Sequence, residues 1–284
     1  MEPRRPAFAG SWYPDDEQSC RRQIEQFLAE DAQQPELPLP PRAGLVPHAG
    51  WYFSGQIACR VIQALGEGPR PDAIVLFGMH MHPSQRPVMM DRGAWETPMG
   101  TLSIAEDLAR YLAKRHRFTL ETPQDPNQDN TIELQLPFIR FIFGDIPILP
   151  IGVPPSSTAL EIARSVIEGA GSLNMKVKIL GSTDLTHYGP NYGFTRHGKG
   201  AKAAAWVKEQ NDRHFIDAAL QLKPAKVIEE ALHNRNACCA GAAAAAIQAA
   251  LDLGVSQGIL MAYTTSYDKI PGDSFVGYAG IAYC

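Results

Sequence analysis

Val177-Lys178-Ile179-Leu180-Gly181-Ser182-Thr183-Asp184-Leu185-Thr186-His187 passes from a short apolar run into a polar turn carrying a carboxylate and an imidazole. Two other stretches have the same form. Ala43-Gly44-Leu45-Val46-Pro47-His48 is one, and Ala73-Ile74-Val75-Leu76-Phe77-Gly78, continuing into Met79-His80-Met81-His82, is the other. A fourth segment, Ala237-Cys238-Cys239-Ala240-Gly241, opens an alanine-rich helix. Continuous apolar runs of this length are what strands buried on both faces of a parallel sheet look like. Ligands of open α/β sheets bind just beyond the carboxyl ends of such strands, which is where these histidines stand.

Outward from these runs, strands and helices alternate. Helices are expected at Glu17 to Ala29, Ser54 to Leu65, Ala105 to Lys114, Thr131 to Phe143 and Ser157 to Glu168. Further helices are expected over Ala201 to Ala219, Pro224 to Leu232 and Cys238 to Leu253. Strand Ile146 to Val153 joins the three runs above, and Val88 to Ile104, broken by Gly93, Pro98 and Gly100, reads as a hairpin or excursion. Gly258 to Thr265 and Phe275 to Tyr283 close the chain as an antiparallel pair. The Pro-rich link Pro35 to Pro41 cannot be regular structure. The fold class expected is α/β: a single domain over residues 1–284, with a central mostly parallel or mixed sheet covered by helices on both faces. Residues 1–41 are expected to pack on it as an N-terminal segment.

At 284 residues the chain can bury a large core. A net charge of −4 argues against nucleic acid and anionic membrane surfaces as partners, since both reward a basic face. No apolar run approaches a membrane span and no secretory leader is visible. Five cysteines without a C-x-x-C pair do not suggest a disulfide scaffold, so a cytoplasmic location is expected.

Each candidate has a bland alternative. His48, between a strand and a helix, is a ligand or a loop histidine bonded to backbone. His80 and His82 flank Met81, so on an extended segment they point the same way, and one ligand or a surface pair fits equally. Asp184 and His187 share a face at a three-residue spacing, which suits a general acid/base pair or an N-cap with a solvent-facing histidine. Cys238 and Cys239 at a helix start are metal ligands, nucleophiles or small buried hydrophobes. Cys20, Cys59 and Cys284 are read as buried hydrophobes. Glu133 and Gln135 reach the site or face water. Gly198-x-Gly200-x-x-Ala203 lacks the preceding strand that a dinucleotide loop needs.

Together these segments resemble the Memo family, whose bacterial members are also called AmmeMemoRadiSam system protein B. The resemblance lies in Ala9-Gly10-Ser11-Trp12-Tyr13-Pro14, Pro47-His48-Ala49-Gly50, Gly78-x-x-x-His82 and Asn130-Thr131-Ile132-Glu133-Leu134-Gln135-Leu136-Pro137. It continues through Ser182-Thr183-Asp184-Leu185-Thr186-His187-Tyr188-Gly189, Ala237-Cys238 and Val276-Gly277-Tyr278-Ala279. It implies a fold shared with class III extradiol ring-cleaving dioxygenases, in which two histidines and a glutamate hold Fe(II). In Memo proteins a cysteine takes the carboxylate's place. Carried over, the ligands are His48, His82 and Cys238, with His187 as acid/base and Asp184 beside it.

The chain departs from that pattern in three places. Met81 separates two histidines that are often adjacent, Asn130 stands where histidine is frequent, and Cys239 stands where glycine is usual. The function implied is a non-haem Fe(II)-dependent dioxygenase acting with O2 on a catechol-like aromatic, inside a pocket lined by Trp12, Tyr13, Trp51, His80, Asn130 and Tyr188. A thiolate also favours Cu or Zn. The alternatives are a non-catalytic metal-, redox- or peptide-binding protein with a vestigial pocket, and a hydrolase using Cys238 as nucleophile. A homo-oligomer is left open.

Overall fold

A computed structural model describes residues 2–29 and 34–284, so of the expected N-terminal segment residues 1 and 30–33 lie outside the described part. Its strands are β1 (Ala43–Val46), β2 (Ala73–Gly78), β3 (Val88–Met90), β4 (Ala94–Thr97), β5 (Gly100–Ser103) and β6 (Thr119–Glu121). They continue as β7 (Ile148–Gly152), β8 (Val177–Ser182), β9 (His187–Tyr188), β10 (Gly258–Thr265) and β11 (Phe275–Tyr283).

The main sheet runs β10-β11-β1-β8-β2-β7-β3-β6, with β9 attached to β11, while β4 and β5 form a separate hairpin. Its middle, β1-β8-β2-β7, is parallel, and β11 and β3 flank it in the antiparallel sense. Every residue of the four parallel strands is buried. That explains their apolar runs. The sheet is mixed and is covered on both faces.

Glycines set how closely the helices approach. On β1, a Cβ at Gly44 would press on Val61 of the helix Trp51–Leu65. On β8, Gly181 lies level with Leu45 and meets Ala246 and the carbonyl of Ala242, so the helix Ala240–Asp252 covers the other face. That helix is buried from Ala240 through Ala250, so its alanines let it lie against β8 while neighbouring helices cover its remaining sides. Cys238 and Cys239 therefore arrive at the end of β8.

The register aligns the strand ends. Val46 pairs with Ser182, Phe77 with Gly181, and Gly78 with Gly152. The loops after β1, β2 and β8 thus leave at one edge. One expected element is corrected: Thr131 to Phe143 is two helices, Asn130–Glu133 and Leu136–Phe143, broken at Leu134-Gln135 just before Pro137, whose ring cannot continue a helix from the preceding turn. Among the described residues no helix is long and apolar enough to cross a membrane.

Candidate metal centre

His48 follows β1 by two residues and is held on every side. Its amide donates to Asp184 Oδ1 at 2.7 Å, and its ring Nδ1 lies 2.9 Å from Ser182 Oγ. Asn130 Nδ2 donates to the His48 carbonyl and Gln135 Nε2 to the Pro47 carbonyl, each at 3.0 Å. Nε2 is left to face Cys238 Sγ at 3.2 Å. The cysteines are fixed by backbone. Cys238 N–H donates to the Asp184 carbonyl at 3.1 Å, and Cys239 N–H to Thr183 Oγ1 at 3.0 Å. The two sulfurs stand 3.7 Å apart.

His80 completes the group, its ring centroid 5.1 Å from that of His48 and nearly perpendicular to it. One ligand atom from each of His48, His80, Cys238 and Cys239 lies within 4.8 Å of all the others. His82, the histidine assigned as a ligand by resemblance, is not in this group. It is exposed, with Nδ1 on Ser84 Oγ at 2.8 Å and its amide on Gln85 Oε1.

The reason lies one residue earlier. Met79 has φ 72°, a left-handed conformation uncommon for a side-chain-bearing residue, so the chain turns as soon as β2 ends. Thr131 Oγ1 accepts the Met79 amide at 2.7 Å, and the Met79 sulfur occupies the space a Cβ at Gly152 would need. The turn delivers His80 to the sheet edge and carries His82 away.

The group is electrostatically coupled. Burial opposes ionisation of Cys238, but Cys239 and His48 outweigh it and hold the thiol well below its ordinary range. Burial likewise opposes the charged form of His48, yet Asp184 and Cys238 push its pKa up to about 9. Burial raises Asp184 against the pull of His48, and burial together with Cys238 raises Cys239. In this form the pair is a thiolate beside an imidazolium.

A cavity of about 480 Å³ opens onto the two histidines of this group, with the cysteines behind them outside its lining. His48, His80, Asp184, His187 and Asn130 line its polar part, and Trp12, Tyr52, Phe53, Tyr192 and Tyr278 its aromatic part. His187 Nδ1 lies 3.1 Å from the Leu185 carbonyl, which can only accept, so Nδ1 carries the proton and Nε2 of the neutral ring is bare. Three expected pocket residues are elsewhere. Tyr13 is buried with its hydroxyl on Glu133, Trp51 stacks on Phe138 at 4.2 Å, and Tyr188 is fully buried against Phe275. A larger cavity of about 600 Å³ opens beside Arg42 and Val177, where β1 and β8 begin, and contains none of the four donors.

Several supporting residues went unassigned in the sequence reading. Glu133 neither reaches the centre nor faces water. Its carboxylate accepts from the Ala7 amide at 2.8 Å, the Phe8 amide at 2.7 Å and the Tyr13 hydroxyl at 3.0 Å. It thereby seats the segment whose Ser11 and Trp12 line the cavity. Tyr192 and Tyr278 were missed too. Tyr278 carried two signals, its place in the Val276-Gly277-Tyr278-Ala279 stretch of the resemblance and its standing two residues from Val276 on one face of β11.

Against known proteins, a family described as Memo-like protein matches residues 4–282. A MEMO1 family protein of Methanosarcina acetivorans is 32% identical over 289 residues, covering 99% of both chains. One from Methanopyrus kandleri is 31% identical over 297 residues, covering 99% of this chain and 98% of the other. Among solved structures, an uncharacterized protein from Escherichia coli K12 matches with a TM-score of 0.53 at 15% identity, covering 84% of this chain and 98% of that one. That last likeness bears on the fold alone.

Proposed function

The chain belongs to the Memo family, and on that premise we propose a metal-binding protein that acts as a non-haem Fe(II)-dependent dioxygenase on a catechol-like aromatic. The observation carrying this reading is the meeting of two imidazoles and a thiol within 4.8 Å at the end of an aromatic-walled cavity. The donor set fits a first-row transition metal. Imidazole suits iron, copper and zinc, and the low-lying Cys238 thiol is ready to ligate without an external base. His48, His80 and Cys238 would hold the ion. When bound, it would supply a Lewis acid with one-electron redox chemistry.

The surrounding residues perform the rest. Ser182 fixes the His48 ring through Nδ1, leaving Nε2 for the centre. Asp184 anchors the His48 amide and compensates positive charge. His187, with Nε2 bare, takes a proton from a substrate hydroxyl and returns it to a product oxygen. Trp12, Tyr192 and Tyr278 line the cavity that would receive the ring.

A second reading is favoured by Cys239. Its sulfur, 3.7 Å from that of Cys238, offers a further soft donor and suits a protein that holds Cu(I) or Zn without turnover. One experiment separates the two. Protein purified anaerobically is assayed for bound metal, loaded with Fe(II), and given catechols with O2. Oxygen uptake with a yellow ring-fission product supports the dioxygenase. Stoichiometric metal with no oxygen uptake across the panel overturns it in favour of the holding role, and failure to bind any first-row metal overturns both.

A further inference from the structure

Cys238 and Cys239 are neighbours in the chain, yet their sulfurs stand on the same side, 3.7 Å apart. In an extended strand adjacent side chains point to opposite faces, and on a helix they diverge by about 100°. The pair lies in neither. Cys239 is the N-cap of the helix Ala240–Asp252, with φ −125° and ψ 55°, and Cys238 precedes it. The turn is held by Cys238 N–H on the Asp184 carbonyl and Cys239 N–H on Thr183 Oγ1. Access differs between the two, since Cys238 is half-buried and Cys239 is buried. Nε2 of His48 lies 3.2 Å from Cys238 Sγ, within reach of its proton. Cys20, Cys59 and Cys284 are buried and stand outside this group.

We propose that Cys238 and Cys239 form a modification site, a dithiol that hydrogen peroxide closes to a disulfide between adjacent residues, withdrawing Cys238 from the metal centre. The closure stands without the metal-binding reading, and only its effect on metal rests on that reading. The reaction belongs to the metal-free site. His48 Nε2 takes the proton of the Cys238 thiol. The sulfur attacks the peroxide, an S–O bond forms and the O–O bond breaks, and the departing hydroxide takes the proton from His48 and leaves as water. The Cys239 sulfur then attacks that of Cys238. An S–S bond forms, the S–O bond breaks, and the second hydroxide leaves as water with the Cys239 proton. Two thiols and one peroxide thus give one disulfide and two waters, the sulfurs losing two electrons to the peroxide. Proximity decides the second step. With Cys239 almost in van der Waals contact, closure outruns further oxidation of Cys238 to a sulfinic acid, which thiols do not reverse. Adjacent residues place their Cα atoms about 3.8 Å apart, less than the roughly 4.4–6.8 Å a disulfide usually spans, so a mild thiol reopens the ring.

Trypsin isolates the pair, because no lysine or arginine lies between Arg235 and Lys269 and that peptide holds no cysteine besides Cys238 and Cys239. Metal-free protein is treated with one equivalent of hydrogen peroxide, blocked with N-ethylmaleimide and mapped by mass spectrometry. The peptide should lose two hydrogens and take up no maleimide, and dithiothreitol before blocking should restore both alkylation sites. In Cys239→Ala, checked for folding by circular dichroism, the same peptide should instead gain oxygen. It should appear first as a sulfenic acid trapped by dimedone, then as a sulfinic acid that dithiothreitol leaves in place. Cys239→Ser should behave alike. Affinity of the oxidised wild type for Zn(II), read by competition with a chromophoric chelator, should fall at least about a hundredfold and return after reduction and desalting. Sulfinic acid without disulfide in the unaltered protein, or no reaction of either thiol, overturns the proposal and leaves the metal reading standing. A disulfide that leaves zinc affinity unchanged overturns the withdrawal and removes Cys238 from the proposed ligands.

Discussion

Sγ of Cys238 stands 3.2 Å from Nε2 of His48, and the contact ties the residue just before the N-cap of the helix Ala240–Asp252 to the loop after β1. It makes the two residues one titrating unit. His48 gains charge from Asp184 and Cys238, and Cys238 loses its proton because His48 and Cys239 stabilise the anion. In metal-free protein at pH 7, iodoacetamide should therefore label Cys238 first, as peptide mapping would show. Cys20 and Cys59 should stay unmodified, since burial pushes both up to about 12. His48→Gln should slow labelling of Cys238 at pH 7, reaching about tenfold where the thiol of the variant titrates one unit above the working pH. Unchanged labelling in that variant would show that the pair is not ionised.

The same reasoning separates two histidines that look alike in the chain. His80 lies with the donors, and His82 lies on Ser84 in an exposed turn. His80→Ala should weaken metal binding by more than the roughly 10–100-fold typical of outer-sphere changes, whereas His82→Ala should leave it within about twofold. Competition against a chromophoric chelator measures both. A larger loss in the His82 variant would restore the register that the family resemblance implied.

That register shows where sequence reading stopped. The buried strands, the final antiparallel pair and the meeting of His48 with Cys238 are legible because period, run length and strand-end position are local properties. The choice between His80 and His82 is not. It depends on Met79 turning left-handed, which depends on Thr131 and on the space at Gly152, residues 52 and 73 positions away. The aromatics tell the same story. Trp12, Tyr13, Trp51 and Tyr188 are equivalent by composition, yet Trp12 lines the cavity while Tyr13, Trp51 and Tyr188 are buried through contacts with Glu133, Phe138 and Phe275.

Glu133 carries a prediction of its own. Its carboxylate takes two amides and a hydroxyl from residues 7–13, while Arg4 is pinned separately by Glu121 at 2.9 Å. Glu133→Gln replaces one acceptor oxygen with a donor facing those groups. The change should destabilise the protein by about 2–3 kcal/mol, the scale of lost hydrogen bonds to a buried charge. Urea unfolding reads the loss, and cleavage near Trp12 under limited proteolysis should speed up. Metal affinity should fall less than tenfold, because His48, His80 and Cys238 are held by other residues. A collapse of metal binding with no change in stability would contradict this division.

Asp212 predicts a pH dependence. It is fully buried, and Gly277 has no room for a side chain because the Asp212 carboxylate lies against it. Burial raises its pKa to about 6, although Thr186 and Tyr263 donate to its oxygens and pull the other way. An unfolded aspartate titrates near 3.8. Between these two values the folded chain keeps a proton that the unfolded chain has released. Stability from this group is therefore full below about pH 4 and is lost as pH rises through 6, by about 3 kcal/mol. In Asp212→Asn that slope should vanish. Urea melts of both proteins from pH 4 to pH 7 should show the wild type losing stability relative to the variant across that window. If the two stabilities run parallel with pH, the carboxylate is ionised in the fold throughout, and its hydrogen bonds from Thr186 and Tyr263 outweigh its burial.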